Sequence, residues 1–368
     1  MMQRSWPGSA LFRRQVAEKI DSATALSRGG RLLGVAVVMA VAMAWTHPVR
    51  AADIYAGKQV VVIAGTEPGG GYDFYARTLA RHLPKHIPGN PSAIVQNMPG
   101  AGGIRGANFL YNVAAKDGLT IGQIHNGLPF AQLYGNTQVQ YDPEKFAWLG
   151  SPTKEISIFL LWHTVGVNSI AQAKDRELVL GAAGATTGGA FYSRLLTAAF
   201  GLKIKTIAGY KGLGEALLAM ERGENEGYAS TFWSTLQSTR AEWLKDGKIK
   251  LILRYSGDPI PGFEHVPLAE DLAASEEDRQ LLQMAAAPFT LGRPLAAPPG
   301  LAADRLAFLK KGVWDTLHDP AYRKDCIQQN LECETPTTGE FIADVIRRTY
   351  AAPEPVRKKL TEIYQSER

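Results

Sequence analysis

The chain is poor in cysteine. It has 2 among 368 residues, Cys326 and Cys333, and no third cysteine or nearby histidine completes a metal site with them. In an exported protein such a pair favours a disulfide. Asn330 can end the helix that carries Cys326 in a left-handed turn, which would bring Cys333 back toward it. Free thiols are equally compatible with the sequence, because spacing alone does not fix the geometry.

A net positive charge is missing from most of the chain, although the formal total is +5. The first 51 residues hold seven basic and two acidic side chains, out of totals of 40 and 35. The rest is therefore formally neutral. Because no overall positive field remains to attract a polyanion, we expect no nucleic-acid partner.

The chain also lacks an apolar run long enough to cross a bilayer as a helix. The longest run, Leu32 to Trp45, has 14 residues and follows Arg28 and Arg31. This is the pattern of a signal peptide, and Val49 and Ala51 supply the small residues of a cleavage site. We predict that residues 1–51 are a signal peptide, cleaved near Ala51, and that the protein is periplasmic. A retained anchor is the alternative.

Common catalytic and nucleotide motifs are absent as well. The stretch "GAGGIRG" has Arg105 where a dinucleotide fingerprint has a small residue, and no acidic residue ends the next strand. No phosphate-binding loop, nucleophile elbow or H-E-x-x-H motif occurs. His82 and His86 are separated by Pro84, which predicts a solvated helix end rather than a metal site. We therefore predict no catalytic residue, metal or cofactor.

What the chain does have is an alternation of short apolar strands and amphipathic helices. "QVVVIAG", "SAIVQNM" and "LTIGQI" are strand-like and are separated by helical runs, which predicts a parallel sheet with crossover helices. The alternation resumes after Gly150, and helices dominate from Asp271 onward. "PLAAPPG" is interpreted as a proline-rich connector. The pattern indicates an α/β fold with two domains, whose C-terminal helices pack back on the first.

Two glycine-rich turns stand out, "PGGGYDF" and "PGAGG". Each follows a predicted strand and precedes a helix, so both should lie at the carboxyl edge of one sheet. Helix amino ends and close backbone approach would let the pair hold a carboxylate without Arg or Lys. Tight strand–helix packing is the alternative. Asp73 is either a helix cap or a ligand contact, and Tyr72 either packs the loop or forms a pocket wall.

The motifs, in their order, resemble a known family. "PGGGYDFYARTLARHL", "VQNMPGAGGIRGANFLYNVAAKDGLTIG" and "GYKGLGEALLAMERGENEG" are similar to the Bug or TctC-like solute-binding proteins of tripartite tricarboxylate transporters. The resemblance implies a type II periplasmic binding protein with a ligand cleft between two α/β lobes. Residues 52–152 and 289–368 would form lobe 1, and residues 153–288 would form lobe 2.

The resemblance also implies which residues bind the ligand. In lobe 1 these are Gly69, Gly70, Gly71, Tyr72 and Asp73 of the first loop and Gly100, Ala101, Gly102 and Gly103 of the second. In lobe 2 they are Thr186, Thr187, Tyr210, Gly212, Glu226 and Ser230. The chain departs from the family where Ala183 replaces a common Ser, Glu226 a common Asp and Tyr72 a common Thr. These departures leave the far end of the ligand undetermined.

The function implied is capture of a small carboxylate, either a di- or tricarboxylate or an aromatic acid. The monomeric protein would deliver it to the large and small subunits of a membrane transporter. No catalytic step and no cofactor are expected. A ligand sensor for a signalling partner would use the same pocket, and a small-molecule enzyme is the less favoured third reading because fold alone does not fix function.

Overall fold

The computed structural model describes residues 54–69, 71–184 and 187–366, apart from the side chain of Ser238. The predicted signal peptide and its cleavage site lie outside the described residues, as do Gly70 and Thr186. The strands are, in chain order, β1 (Gln59–Ala64), β2 (Ser92–Asn97), β3 (Thr120–Gln123), β4 (Ala147–Ser151), β5 (Ser157–Trp162), β6 (Glu177–Ala182), β7 (Lys203–Ala208), β8 (Gly227–Phe232), β9 (Ile249–Arg254), β10 (Leu295–Ala297) and β11 (Thr337–Thr338).

The helices fill the connections and the C-terminal part of the chain. The α-helices are α1 (Gly71–His82), α2 (Ile104–Asn112), α3 (Ile170–Ala173), α4 (Gly188–Phe200), α5 (Leu213–Glu221), α6 (Trp233–Thr239), α7 (Ala241–Lys245), α8 (Glu276–Leu291), α9 (Ala303–His318), α10 (Pro320–Gln328), α11 (Gly339–Tyr350) and α12 (Glu354–Gln365). Short 3₁₀ turns span Leu83–His86, Ala101–Gly103, Leu128–Phe130, His163–Val165 and Ala269–Leu272. Among the described residues, no helix combines the length and apolar character needed to cross a membrane.

The first sheet, sheet A, has the strand order β11-β4-β10-β3-β1-β2. Its parallel part, β3-β1-β2, is the sheet predicted from the opening alternation. In β1 the β-branched residues Val60, Val62 and Ile63 are buried, as expected for a central strand covered on both faces. The carboxyl ends of β1 and β2 therefore bring both glycine turns to one edge.

The interpretation of "PLAAPPG" as a connector is wrong, because it contains β10. This strand lies antiparallel between β3 and β4, and Leu295, Ala296 and Ala297 are buried. Prolines flank the three residues without occupying the ladder positions in between. The composition of this segment indicates a loop, but hydrogen bonding to β3 and β4 makes it a strand.

The second sheet, sheet B, has the strand order β7-β6-β8-β5-β9. Strand β6 is parallel to β7 and β8, whereas β5 is antiparallel to β8 and β9. The molecule is thus a mixed α/β protein with two sheets, which confirms the predicted fold class. Helix α9 packs against β4 of sheet A, α10 packs against α1 and α9, and α12 packs against α8 and α4.

The two cysteines form a disulfide. Asn330 adopts a left-handed conformation (φ 54°), and the Leu331 backbone N–H donates to the Cys326 carbonyl at 2.8 Å. The chain is turned back as the sequence suggested, and Cys326 and Cys333 are joined with their Cα atoms 6.3 Å apart. The link closes the turn after α10.

The expectation of a solvated helix end at His82 and His86 is wrong. The Nε2 atom of His82 lies 2.9 Å from Asp325 Oδ2, and that of His86 lies 2.8 Å from Asp319 Oδ2. Asp319 caps the amino end of α10 and Asp325 lies within this helix. Each carboxylate is more than 230 positions from its histidine in the sequence. The sequence around His82 and His86 therefore gives no sign of these partners.

Candidate ligand-binding site

The first glycine loop is held by the carboxylate of Asp73. Its Oδ2 accepts from the Gly69 backbone N–H and from Arg77 Nε, both at 2.8 Å, and its Oδ1 accepts from Asn97 Nδ2 at 2.8 Å. Burial alone would raise the pKa of Asp73, but these hydrogen bonds outweigh it and lower that pKa below its usual value. Because both oxygens are engaged within the protein, the geometry favours the cap interpretation over a ligand contact.

Tyr72 connects this loop to the segment that follows β3. Its hydroxyl accepts from the Asn126 backbone N–H at 2.9 Å, and its ring stacks on His125 with centroids 4.7 Å apart. The Arg293 guanidinium lies 4.6 Å from the centre of the same ring. The side chain is 6% exposed, so it packs the loop rather than presenting a broad surface to a ligand. Burial raises the pKa of its hydroxyl.

The second glycine loop is a run of four residues with positive φ. The angles are 132° at Gly100, 48° at Ala101, 64° at Gly102 and 96° at Gly103. Ala101 adopts this conformation against its Cβ, at a cost of about 1 kcal/mol. At Gly102 a Cβ atom would meet no protein atom within 4 Å, so the backbone faces open space there.

A cavity of about 540 Å³ lies between this loop and the start of α4. Ala101 and Gly102 line one side, and Thr187 and Gly188 line the other. The Thr187 hydroxyl donates to the Gly184 carbonyl at 2.7 Å, and no described side chain caps α4. The amino end of α2 likewise carries no side-chain cap in the described residues. Two uncapped helix ends therefore converge on one cavity, an arrangement suited to an anion.

His125 forms another wall of this cavity. Desolvation by the surrounding protein, followed by the positive charge of Arg293, lowers the pKa of His125 to about 4. At neutral pH the imidazole is uncharged and offers one donor and one acceptor.

Most of the remaining wall is apolar and aromatic. The rings come from the segment after β3, from α4, from α8 and from α12, and they belong to Tyr134, Phe191, Tyr192, Phe289 and Tyr364. The ring centroids of Tyr134 and Tyr364 are 4.7 Å apart in a stacked pair. Neither this wall nor His125 is predicted from the sequence. The only available signal was that His125 follows a predicted strand of the glycine-loop sheet.

The structure brings together only some of the residues predicted to bind the ligand. Ala101, Gly102 and Thr187 line the cavity, with Gly100 and Gly103 next to them in the chain. Gly71 begins α1 and Gly69 (φ 84°) precedes it in the first loop, which reaches the cavity through the Tyr72–His125 contact.

Four further described residues predicted to bind the ligand, Tyr210, Gly212, Glu226 and Ser230, are not among the residues that line the cavity. The Glu226 carboxylate pairs with Arg176 and accepts from the Val179 backbone N–H at 2.9 Å, away from the carboxyl end of β6. Ser230 Oγ lies 2.8 Å from Ser157 Oγ. Tyr210 and Gly212 occupy the connection between β7 and α5, where the Tyr210 ring lies beside Gly181.

Two segments cross between the sheets and carry an ion pair. Residues 152–156 lead from β4 to β5, and residues 292–294 lead from α8 to β10. Arg293 Nη2 lies 2.7 Å from Glu155 Oε1, and the Glu155 side chain is 1% exposed. The pair holds the two crossings together directly behind Tyr72 and His125.

Comparison with known proteins agrees with this architecture. No family model matches the chain. A UPF0065 protein from the gbd 5' region of Cupriavidus necator is 25% identical over 338 residues, which cover 86% of this chain and 94% of that protein. A TctC solute-binding protein from Polaromonas superposes with a TM-score of 0.66 at 18% identity, covering 85% of this chain and 99% of the other.

This chain has the fold of the TctC and Bug proteins. The periplasmic binding protein BugD superposes with a TM-score of 0.53 at 20% identity, covering 85% of this chain and 98% of BugD. An R. palustris protein solved with adipate gives a TM-score of 0.56 at 18% identity, covering 82% and 97%. The TctC and Bug resemblance predicted from the motifs is thus confirmed by the structural neighbours.

Proposed function

We propose that the protein binds one small carboxylate in the cavity between Gly102 and Gly188. The observation that carries this proposal is the convergence of two uncapped helix amino ends on a single cavity. Backbone N–H groups there would hold the carboxylate, and the glycines of the loop carry no side chain that would block its approach. The adipate bound to the R. palustris neighbour supports a carboxylate as the ligand class.

We further propose that binding takes place in the periplasm, after removal of residues 1–51. Residues 52–152 and 289–368 would act as one lobe and residues 153–288 as the other, closing about the crossings that carry Glu155 and Arg293. The large and small subunits of a tripartite tricarboxylate-type transporter would accept the solute from the closed monomer. No catalytic step forms part of this cycle.

A thermal-shift screen of the mature chain tests the proposal. The ligands are mono-, di- and tricarboxylates together with aromatic acids. An acid that binds the folded state alone should raise the melting temperature, with about 2.7 kcal/mol of stabilisation at 100 times its Kd. If no acid shifts a sample shown by mass spectrometry to be ligand-free, the carboxylate proposal is wrong.

A further inference from the structure

Helix α12 contacts elements on both sides of the cavity. On the side of sheet A, Thr361 Oγ1 donates to the Leu133 carbonyl at 2.5 Å, and Gln365 Nε2 donates to the Tyr134 carbonyl at 3.3 Å. Both carbonyls belong to the segment between β3 and β4. On the side of sheet B, α12 packs against α4, which connects β6 to β7. The helix therefore joins elements of the two sheets at a place other than the two chain crossings.

Tyr364 of α12 lies where these two sets of contacts meet. Its ring stacks on Tyr134 with centroids 4.7 Å apart, and it meets Phe191 of α4 edge-on with centroids 5.7 Å apart. All three rings line the cavity. Because one side chain cannot follow two elements that move apart, a wider separation of α4 from the segment between β3 and β4 would break one of these ring contacts.

The carboxyl end of α12 is stabilised by a side chain of α4. Arg194 Nε donates to the Ile363 carbonyl at 2.8 Å, and its Nη2 donates to the Tyr364 carbonyl at 3.4 Å. Carbonyls in the last turn of a helix have no donor within the helix, and a cation there also interacts favourably with the helix dipole. The Ser366 hydroxyl shares the Ile363 carbonyl at 3.1 Å, so Arg194 contributes the charged donor.

The earlier turns of α12 are held more firmly than the last one. Val356 and Leu360 are 3% and 1% exposed and belong to the hydrophobic core. Lys359 Nζ also lies 3.1 Å from Asp278 Oδ1, in the first turn of α8. By contrast, none of residues 362–365 is buried. Since local stability follows buried contacts, the last turn is the part of α12 that should open first.

We propose that α12 is a strap across the cavity, and that its last turn, residues 362–365, unwinds when α4 moves away from it. The strap would limit how far the cavity can widen while Arg194 holds the helix end. Unwinding would remove Tyr364 from the cavity wall and admit a solute between α4 and the segment between β3 and β4. The proposal concerns access to the cavity and does not depend on the chemical class of the solute.

Hydrogen–deuterium exchange of the mature chain tests whether the last turn depends on α4. In Arg194→Met the amides of residues 362–365 should exchange at least about tenfold faster, as the loss of a hydrogen bond from a charged group predicts. The first turns of α12 should be unchanged. Arg323→Met is the matched control, because Arg323 is also partly buried and its Nε donates to the Leu317 carbonyl at 3.2 Å, in the last turn of α9. Equal exchange of residues 362–365 in the two variants would overturn the proposal.

Distances between two spin labels test whether the strap limits the width of the cavity. The labels are attached at Thr137→Cys, between β3 and β4, and at Lys203→Cys, in β7, and both positions are exposed. Because the two native cysteines form a disulfide, only the introduced thiols react. We expect one narrow distance distribution when Arg194 is present and an additional longer distance in Arg194→Met. Identical distributions would show that α12 does not restrain the two sides and would contradict the strap.

Discussion

The proposed carboxylate site depends on single glycine positions. Gly102 combines a positive φ of 64° with open space where a side chain would start. That space belongs to the cavity, so we expect a side chain placed there to compete with the proposed ligand and not with the protein. Glycine at position 102 therefore has two effects. It keeps this part of the cavity empty, and it allows the positive φ of the backbone.

Gly102→Val should abolish carboxylate binding while the protein stays folded. The control is Gly201→Val at the carboxyl end of α4, where φ is 70° and the space is equally open. Both variants carry about 1–2 kcal/mol of backbone strain. Circular dichroism and calorimetry should show similar loss of stability in both but lost binding only at position 102. Unaltered affinity in Gly102→Val would rule out the loop as the binding element.

Asp73 shapes the first loop from within. Asp73→Ala leaves the Gly69 N–H without its acceptor and removes one of the two acceptors of Asn97 Nδ2, at a cost of about 2 kcal/mol. Urea unfolding should show this loss, and carboxylate affinity should fall because the loop loses its shape. Asp344→Ala, which removes an exposed partner of Arg347 and Arg348, should change stability by less than about 0.5 kcal/mol. Equal effects of the two substitutions would contradict the assigned role of Asp73.

At the scale of elements, α10 is tied to α1 and the turn after it by charge. Asp325 pairs with Arg81 and His82, and Asp319 pairs with Lys85 and His86. The hydrogen bond from Lys85 is the largest influence on Asp319, and with that from His86 it holds the pKa of Asp319 well below its usual value. Burial would raise the pKa of Asp325, but its bonds to His82 and Arg81 lower it overall.

These shifts predict a loss of stability in acid. The folded-state pKa of Asp319 lies below its unfolded value of about 3.9, so its stabilising contribution is complete above that pH and disappears as pH falls further. Urea midpoints measured from pH 7 down to pH 3 should decline below about pH 4. In Asp319→Asn this decline should be smaller, and parallel curves for the two proteins would refute the ion-pair account.

The disulfide that joins α10 to the turn after it should act on stability alone. It closes a loop with a sequence separation of 7, for which chain entropy predicts about 2 kcal/mol. The double variant Cys326→Ser and Cys333→Ser should melt a few degrees lower and bind the ligand unchanged, since neither cysteine lines the cavity. Lost binding in this variant would show that α10 contributes to the site.

The elements that the sequence predicts are those with a local signal. Strand β1 and helix α1 follow from periodicity, and the glycine loops follow from residues that tolerate positive φ. Strand β10 could not be recognised, because three residues between prolines become a strand only by pairing with β3 and β4. The aromatic wall was equally hidden, since Tyr134, Phe191 and Tyr364 come from three segments far apart in the chain.

At the scale of the whole molecule, the two chain segments that cross between the sheets meet at an ion pair. The Glu155–Arg293 pair is buried where both crossings meet, and the Glu155 backbone N–H also donates to the Phe289 carbonyl at 3.0 Å. Among the described residues, the chain connects the strands of the two sheets through these segments. The same arginine contacts Tyr72, so the crossings and the first glycine loop form one structural unit.

Removal of one charge of this pair should lower stability more than removal of both charges. Glu155→Gln leaves the Arg293 charge buried and should cost about 3 kcal/mol in urea unfolding. The double variant Glu155→Gln with Arg293→Met removes both charges and should recover most of that loss. A double variant that is no more stable than Glu155→Gln would show that the charge on Arg293 is not the source of the loss.

A crystal structure of the mature protein with the acid that gives the largest thermal shift tests the proposed carboxylate site most directly. We expect one carboxylate in the cavity, with its oxygens accepting from N–H groups of the Gly100–Gly103 loop and the first turn of α4, directly or through water. A carboxylate bound elsewhere, or held by lysine or arginine side chains, would contradict it.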